Sequence, residues 1–382
     1  MKIKAISSVF ELDMKEISPR LEDELRHEWN TCAELLTSED VSSTLEEVKR
    51  IKVEDLKEAT HYHLHREVTV AAITAACGEL VLLHAGAIAN DKGDVIALVA
   101  PSGTGKTTAV RHLGIDFSYV SDETLACTPD GEVFPYPKPL SIGSRKDGEK
   151  KTGLAPSDAG LKELPKRDGK PLPLHLAGVV ILERDPDFEG APQLQSLGVL
   201  EGLARIIQET SSALLLDDPL HTYAKLCARS GGPWLLRYRE ITDCSEIIAN
   251  LFEHVDQVPE TKWECLGPGT IKHTKTSDLP TDIYAERVLQ RNAATNLVCH
   301  FKRTDWVDAL ADDEGQILLS LAPLTILLTP IAAYLWKQLH TPQTGWQLLA
   351  ATTAEFGDHP EAESIVRQML GVLLSRGAVT IR

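Results

Sequence analysis

The octapeptide Ala100-Pro101-Ser102-Gly103-Thr104-Gly105-Lys106-Thr107 has the residue types and spacing of a phosphate cradle. Gly103 and Gly105 let successive backbone N–H groups turn toward a phosphate, where side chains would block the approach. Lys106 can reach the β- and γ-phosphates, and the Thr107 hydroxyl can complete a magnesium shell. Ser102, Thr104 and Thr108 complete the binding set, and alanine stands at the first position, where the strict pattern has glycine. These residues predict binding of a nucleoside triphosphate. Further along come Asp122 and Glu123. Phosphoryl transfer to a hydroxyl needs a carboxylate that binds magnesium or accepts the hydroxyl proton. Asp122 is placed for one of these roles and Glu123 for a supporting one, unless Asp122 merely caps a turn. His84 ends an apolar stretch, as a structural histidine does. If that stretch neighbours the strand feeding the loop, His84 instead stands close to the γ-phosphate.

The elements around these residues have the order such a site needs. Val95-Ile96-Ala97-Leu98-Val99 reads as a strand entering the loop, and Thr107 to Leu113 as the helix leaving it, with Gly114 as its cap. The dipole at that helix start favours the same negative charge. Asn90 to Asp94 has the composition of a hairpin turn, and Val81-Leu82-Leu83 reads as a short buried strand. Phe117 to Val120 is the next strand and delivers Asp122 at its carboxyl end, where open α/β sheets bind ligands. Leu176 to Leu182 is a buried strand. Gly198 to Leu216 and Leu220 to Ala228 read as helices, Trp234 to Arg239 as a last strand, and Ile247 to His254 as a closing helix.

Residues 138–170 carry nine Lys/Arg against five Asp/Glu, with no clear periodicity. They read as a solvated surface loop or as a lid over phosphates. The first 64 residues, an accessory α/β region, carry no chemical motif. The expected organisation is therefore 1–64 accessory, 65–258 catalytic, 259–298 linker and 299–382 a small α+β domain.

The chain has 382 residues, 43% of them hydrophobic and 25% charged, enough for a substantial core. A net charge of −17 disfavours general nucleic-acid binding, because phosphate repulsion opposes encounter. Seven scattered cysteines without a C-x-x-C pair read as reduced thiols. The start Met1-Lys2-Ile3-Lys4 lacks the apolar core of a signal peptide, and no apolar run suits a membrane span, so the expected location is cytoplasmic.

Leu83-His84-Ala85-Gly86, the phosphate loop, one helix and Val120-Ser121-Asp122-Glu123 together resemble the catalytic domain of the HPr kinase/phosphorylase family. The resemblance covers about residues 65–255 and is nearest to HPr-kinase-like enzymes outside the strict family. It implies an α/β fold, the P-loop kinase core shared with phosphoenolpyruvate carboxykinase. It further implies ATP as donor, magnesium held by Thr107 and Asp122, and catalytic roles for Asp122, His84, Lys106 and Glu123. Ala85 stands where the family has glycine, Glu123 where it has a second aspartate. His175-Leu176-Ala177-Gly178 occupies the place of the family's Glu-x-Arg-Gly stretch, which argues against HPr as acceptor. A homo-oligomer is expected by analogy with the family.

From Cys299 to Arg382 the chain resembles the PqqD family of small winged-helix domains. The carrying residues are Asp313-Glu314-Gly315, Leu328 to Trp336 and Leu373 to Val379. That family binds the leader of a ribosomally made peptide by strand addition. A kinase for a Ser or Thr hydroxyl of a peptide or protein is the resulting expectation. A kinase for free serine or a polyol such as inositol is the alternative, and a non-catalytic ATP-binding regulator the third.

Overall fold

The computed structural model describes residues 1–37, 40, 48–56, 59–142, 152–254, 262–267, 269 and 296–382. The chain is mixed α/β and divides into two compact units. The first takes Met1–Leu197, Glu209–Ala213 and Leu226–Pro259; the second takes Gly198–Gln208, Leu214–Lys225 and Glu260–Arg382.

In the first unit, β1 (Lys2–Ala5), β2 (Ser8–Asp13) and β3 (Lys49–Lys52) form a sheet in that order. Helices α1 (Pro19–Glu28), α2 (Asn30–Glu34) and α3 (Thr60–Ala76) share its core of Phe10, Leu25, Trp29, Leu64 and Val68. Ser18 caps α1 by accepting from Leu21 N–H, and Pro19 opens the helix, where a missing N–H does no harm. α3 begins at Thr60. Its histidine-rich first turns have a buried side formed by Leu64, His65 and Val68.

The chain then runs through β4 (Val81–Leu83), β5 (Ala85–Ala89), β6 (Asp94–Val99), α4 (Lys106–Leu113) and β7 (Ser118–Ser121). Short strands follow: β8 (Leu125–Cys127), β9 (Val133–Phe134), β10 (Leu140–Ile142), β11 (Thr152–Leu154), β12 (Lys166–Arg167) and β13 (Lys170–Pro171). After them come β14 (His175–Arg184), β15 (Gln193–Ser196), α5 (Val199–Ile206), α6 (Pro219–Arg229), β16 (Pro233–Tyr238) and α7 (Ser245–His254). Six of these strands form the main sheet, in the order β15-β16-β14-β6-β5-β7. β14 is parallel to β6 and β16, whereas β5 is antiparallel to both β6 and β7. The carboxyl ends of β6, β7, β14 and β16 therefore share one edge of the sheet. Ile96, Leu98, Val180 and Leu182 meet Val110, Leu113, Ile248 and Leu251 in its core. The apolar runs of β6 and β14 are what strands covered on both faces require.

Residues 138–170 are not one solvated loop. Lys138 is fully buried, β10 pairs with β11, and β12 pairs with β13. Residues 143–151, which include Arg145, lie outside the described residues, as does most of the expected linker 259–298.

In the second unit, β17 (Trp263–Cys265), β18 (His300–Arg303), β19 (Asp308–Asp312), β20 (Ile317–Ser320) and β21 (Thr325–Leu328) precede α8 (Pro330–Gln338). β22 (Gln343–Thr344), α9 (Gly345–Phe356), α10 (Ala362–Ser375) and β23 (Val379–Ile381) complete it. Its sheets run β17-β19-β20-β21 and β22-β18-β23. α5 packs on β19, β20 and β21, which is why residues 198–208 belong to this unit although the sequence groups them with 65–258. The carboxylate of Asp308 accepts from Leu220 and His221 N–H at the start of α6, at 2.8 and 3.2 Å. Among the described residues, no helix is long and apolar enough to cross a membrane.

Candidate functional site

The main sheet brings the three sequence motifs to one edge. Register pairs Ala85 of β5 with Val99 of β6, so His84 stands beside the start of the loop at Ala100. On the other side of β5, Ala87 pairs with Ser121 of β7, and Asp122 and Glu123 follow directly. The antiparallel β5 is what allows a residue at its beginning to meet residues at the ends of its two neighbours.

The loop conformation needs its glycines. Gly103 has φ +81° and Gly105 φ +106°, a region that side chains with a Cβ rarely adopt. A Cβ at either position would meet no atom within 4 Å, so backbone shape rather than crowding requires glycine there. Thr104 Oγ1 donates to the Pro101 carbonyl at 2.6 Å and tightens the turn. Ser102, Gly103, Thr104 and Thr108 are exposed, and Thr107 is half-buried in the first turn of α4. Lys106 is buried, and its ammonium donates back to the Ala100 carbonyl at the loop's start. Burial lowers its pKa, while Glu209 and Glu123 oppose that shift.

One glycine is set by space. A Cβ on Gly86 would fall inside van der Waals contact of Val110 Cγ2 on α4. Gly86, next to Ala85, is therefore the residue that lets α4 lie against β5.

Asp122 is 4% exposed. The Ser121 hydroxyl accepts from Glu123 N–H at 3.3 Å and Thr124 N–H at 3.2 Å, holding the turn that presents the two acids. Lys138 lies 3.0 Å from Asp122 Oδ1 and 3.1 Å from Glu123 Oε2. Its pKa is raised: burial would lower it, but Asp122 and Glu123 outweigh that. Glu123 is shifted the opposite way, below the usual carboxylate range. Burial pushes it up, and the Lys138 charge more than reverses this. His84 is pushed down by burial first and by the Lys106 charge second, which favours neutral imidazole near neutrality. The backbone N–H of His84 donates to the Glu209 carbonyl at 2.7 Å, and Leu83 bridges Thr210, so residues 209–211 are fastened along the end of β4.

Two residues of this cluster escaped the sequence reading. Lys138 sits in the run Phe134-Pro135-Tyr136-Pro137-Lys138-Pro139-Leu140, where one charge among prolines and apolar residues was a usable signal. Glu209, whose charge faces both His84 and Lys106, left no such signal. Among the described residues, no group of three or more His, Cys, Asp or Glu side chains is disposed to hold a metal ion. No protein-family model matches the chain, and no curated protein matches it.

Proposed function

We propose that the chain is an ATP-dependent phosphotransferase acting on an alcohol, with a Ser or Thr hydroxyl of a peptide or protein as acceptor. The observation that carries this reading is the meeting of the loop and Asp122 at the carboxyl ends of β6 and β7, with His84 at the start of the strand between them. The likeness to HPr-kinase-like P-loop enzymes supports it. The likeness of the C-terminal segment to winged-helix leader-binding domains supports a peptide acceptor.

The oxygen donors fit magnesium: the Thr107 hydroxyl at the start of α4 and the Asp122 carboxylate are hard ligands of the kind this ion shares with phosphates. Bound there, magnesium would neutralise charge on the β- and γ-phosphate oxygens. Lys106 would leave the Ala100 carbonyl for a phosphate oxygen, and the loop N–H groups would orient the chain of phosphates. The acceptor oxygen attacks the γ-phosphorus as the bond to the β–γ bridging oxygen breaks. The hydroxyl proton passes to Asp122 or to neutral His84, and ADP leaves.

A small-molecule acceptor, free serine or a polyol such as inositol, is the second reading. It is favoured by the Asp122 side chain, only 2% exposed, which a slim acceptor reaches more easily than a peptide does. Transfer from γ-labelled ATP with magnesium to serine, inositol, other polyols and Ser-containing peptides tests both readings. Label in one acceptor class, lost in Lys106→Ala and Asp122→Asn, upholds the kinase and chooses the class. ATP binding without transfer to any of them refutes it.

A further inference from the structure

Lys138 has no exposed surface, yet it carries a charge. Lysine is almost never buried this deeply unless paired, because an isolated ammonium loses its hydration. Here the pairing is double, to Asp122 and Glu123. The segment bearing it is fixed against β7, the strand that ends at those acids. Tyr136 N–H donates to the Val120 carbonyl at 3.0 Å, and the Tyr119 hydroxyl donates to the Lys138 carbonyl at 2.9 Å. The hydroxyls of Tyr136 and Thr69 are bonded at 3.0 Å, which ties the segment to α3. Pro137 and Pro139 hold φ on either side and remove two N–H groups that burial would leave to be satisfied. Other titratable groups that face this cluster are Cys32 of α2, His65 of α3, Tyr136, and Tyr119, whose hydroxyl also lies 3.4 Å from Asp122 Oδ1. Burial pushes the thiol and both phenols up and the imidazole down, so none of them competes with the two acids for the ammonium.

Resting on the phosphate-loop reading above, we propose that Lys138 is a positioning residue. It clamps Asp122 and Glu123 side by side at the rim of the loop and so sets the carboxylate that receives magnesium. Two carboxylates on adjacent residues repel each other, and a shared ammonium turns that repulsion into one fixed arrangement. Partners that orient a metal ligand in this way are worth about 10- to 100-fold in metal affinity.

The test measures ATP affinity of the full chain by calorimetry, once with magnesium and once with a chelator, for wild type, Lys138→Met and Lys138→Met/Glu123→Gln. The single variant should lose about 10- to 100-fold in magnesium-ATP affinity and keep its affinity for ATP alone. The double variant removes the second carboxylate, so it needs no bridging cation and should recover most of the loss. Equal weakening with and without magnesium, or no weakening in folded Lys138→Met, overturns the proposal. If Lys138→Met does not fold, the double variant decides. Folded and responsive to magnesium, it upholds the clamp; unfolded or unresponsive, it assigns Lys138 to packing and overturns the clamp. Wild type that binds no ATP under either condition instead refutes the nucleotide reading, and the clamp falls with it.

Discussion

Replacing Gly86 with alanine tests whether the glycine loop 100–105 is held in place by the contact of α4 with β5. The new methyl would overlap Val110 Cγ2, with the Ser121 carbonyl oxygen 3.7 Å away on another side. Val110 is fully buried and, being β-branched within a helix, has one strongly preferred rotamer, so it cannot turn aside cheaply. Overpacking of this kind costs about 1–3 kcal/mol. Val110→Ala alone leaves a small cavity and costs about 2 kcal/mol. Combined, the two changes should cost less than their sum by about 1–2 kcal/mol, because the added methyl occupies the space the valine vacated. Urea unfolding of the four proteins gives these differences, read from the transition that magnesium-ATP moves to higher urea under the proposed function. Gly86→Ala should also weaken ATP binding, since α4 carries Lys106 and Thr107, and the double variant should restore it. Additive costs, within about 0.5 kcal/mol, would refute the reasoning. So would full ATP affinity in a clearly destabilised Gly86→Ala protein.

Two further outcomes are expected. Burial pushes the Glu28 carboxyl up, but His61, with Nδ1 2.8 Å from Oε1, and His65, with Nε2 3.7 Å from Oε2, outweigh it and hold its pKa at about 2. A depressed carboxylate stabilises the fold fully above its ordinary value of 4.5 and loses that contribution as pH falls toward about 2. The stability gap between wild type and Glu28→Gln should therefore close across that window in urea titrations at stepped pH. Asp308→Ala should cost about 1–2 kcal/mol, the worth of a helix N-cap, measured by thermal melting of the full chain.

The strand before the glycine loop and the helix after it were legible because glycine spacing and an unbroken apolar run have few other uses. His84 was legible only as a choice, since its proximity to the loop depends on β5 being antiparallel to both neighbours. The charge pattern around Lys138 misled: counted over 138–170 it suggests a solvated surface, whereas the prolines and tyrosines beside it carry the ammonium inward. β15 left little trace, because an edge strand reading Gln193-Leu194-Gln195-Ser196 is mostly exposed and has no apolar face to betray it. The packing of α5 onto β19–β21 had no local signal, for an apolar helix face does not say which sheet it will cover.

The path of the chain between β15 and β16 limits how the protein can be cut. It leaves the first unit at Gly198, returns for Glu209–Ala213, where it fastens the backbone of His84, and leaves again until Leu226. The second unit is therefore not a cassette joined at one terminus, because two of its segments lie inside the span of the first. Deleting residues 260–382 would strip the partners from Leu200, Leu203 and Ile206 on α5, all buried in the intact chain. Removing or exchanging that unit therefore means rewriting the stretch on either side of the segment that secures the backbone of His84.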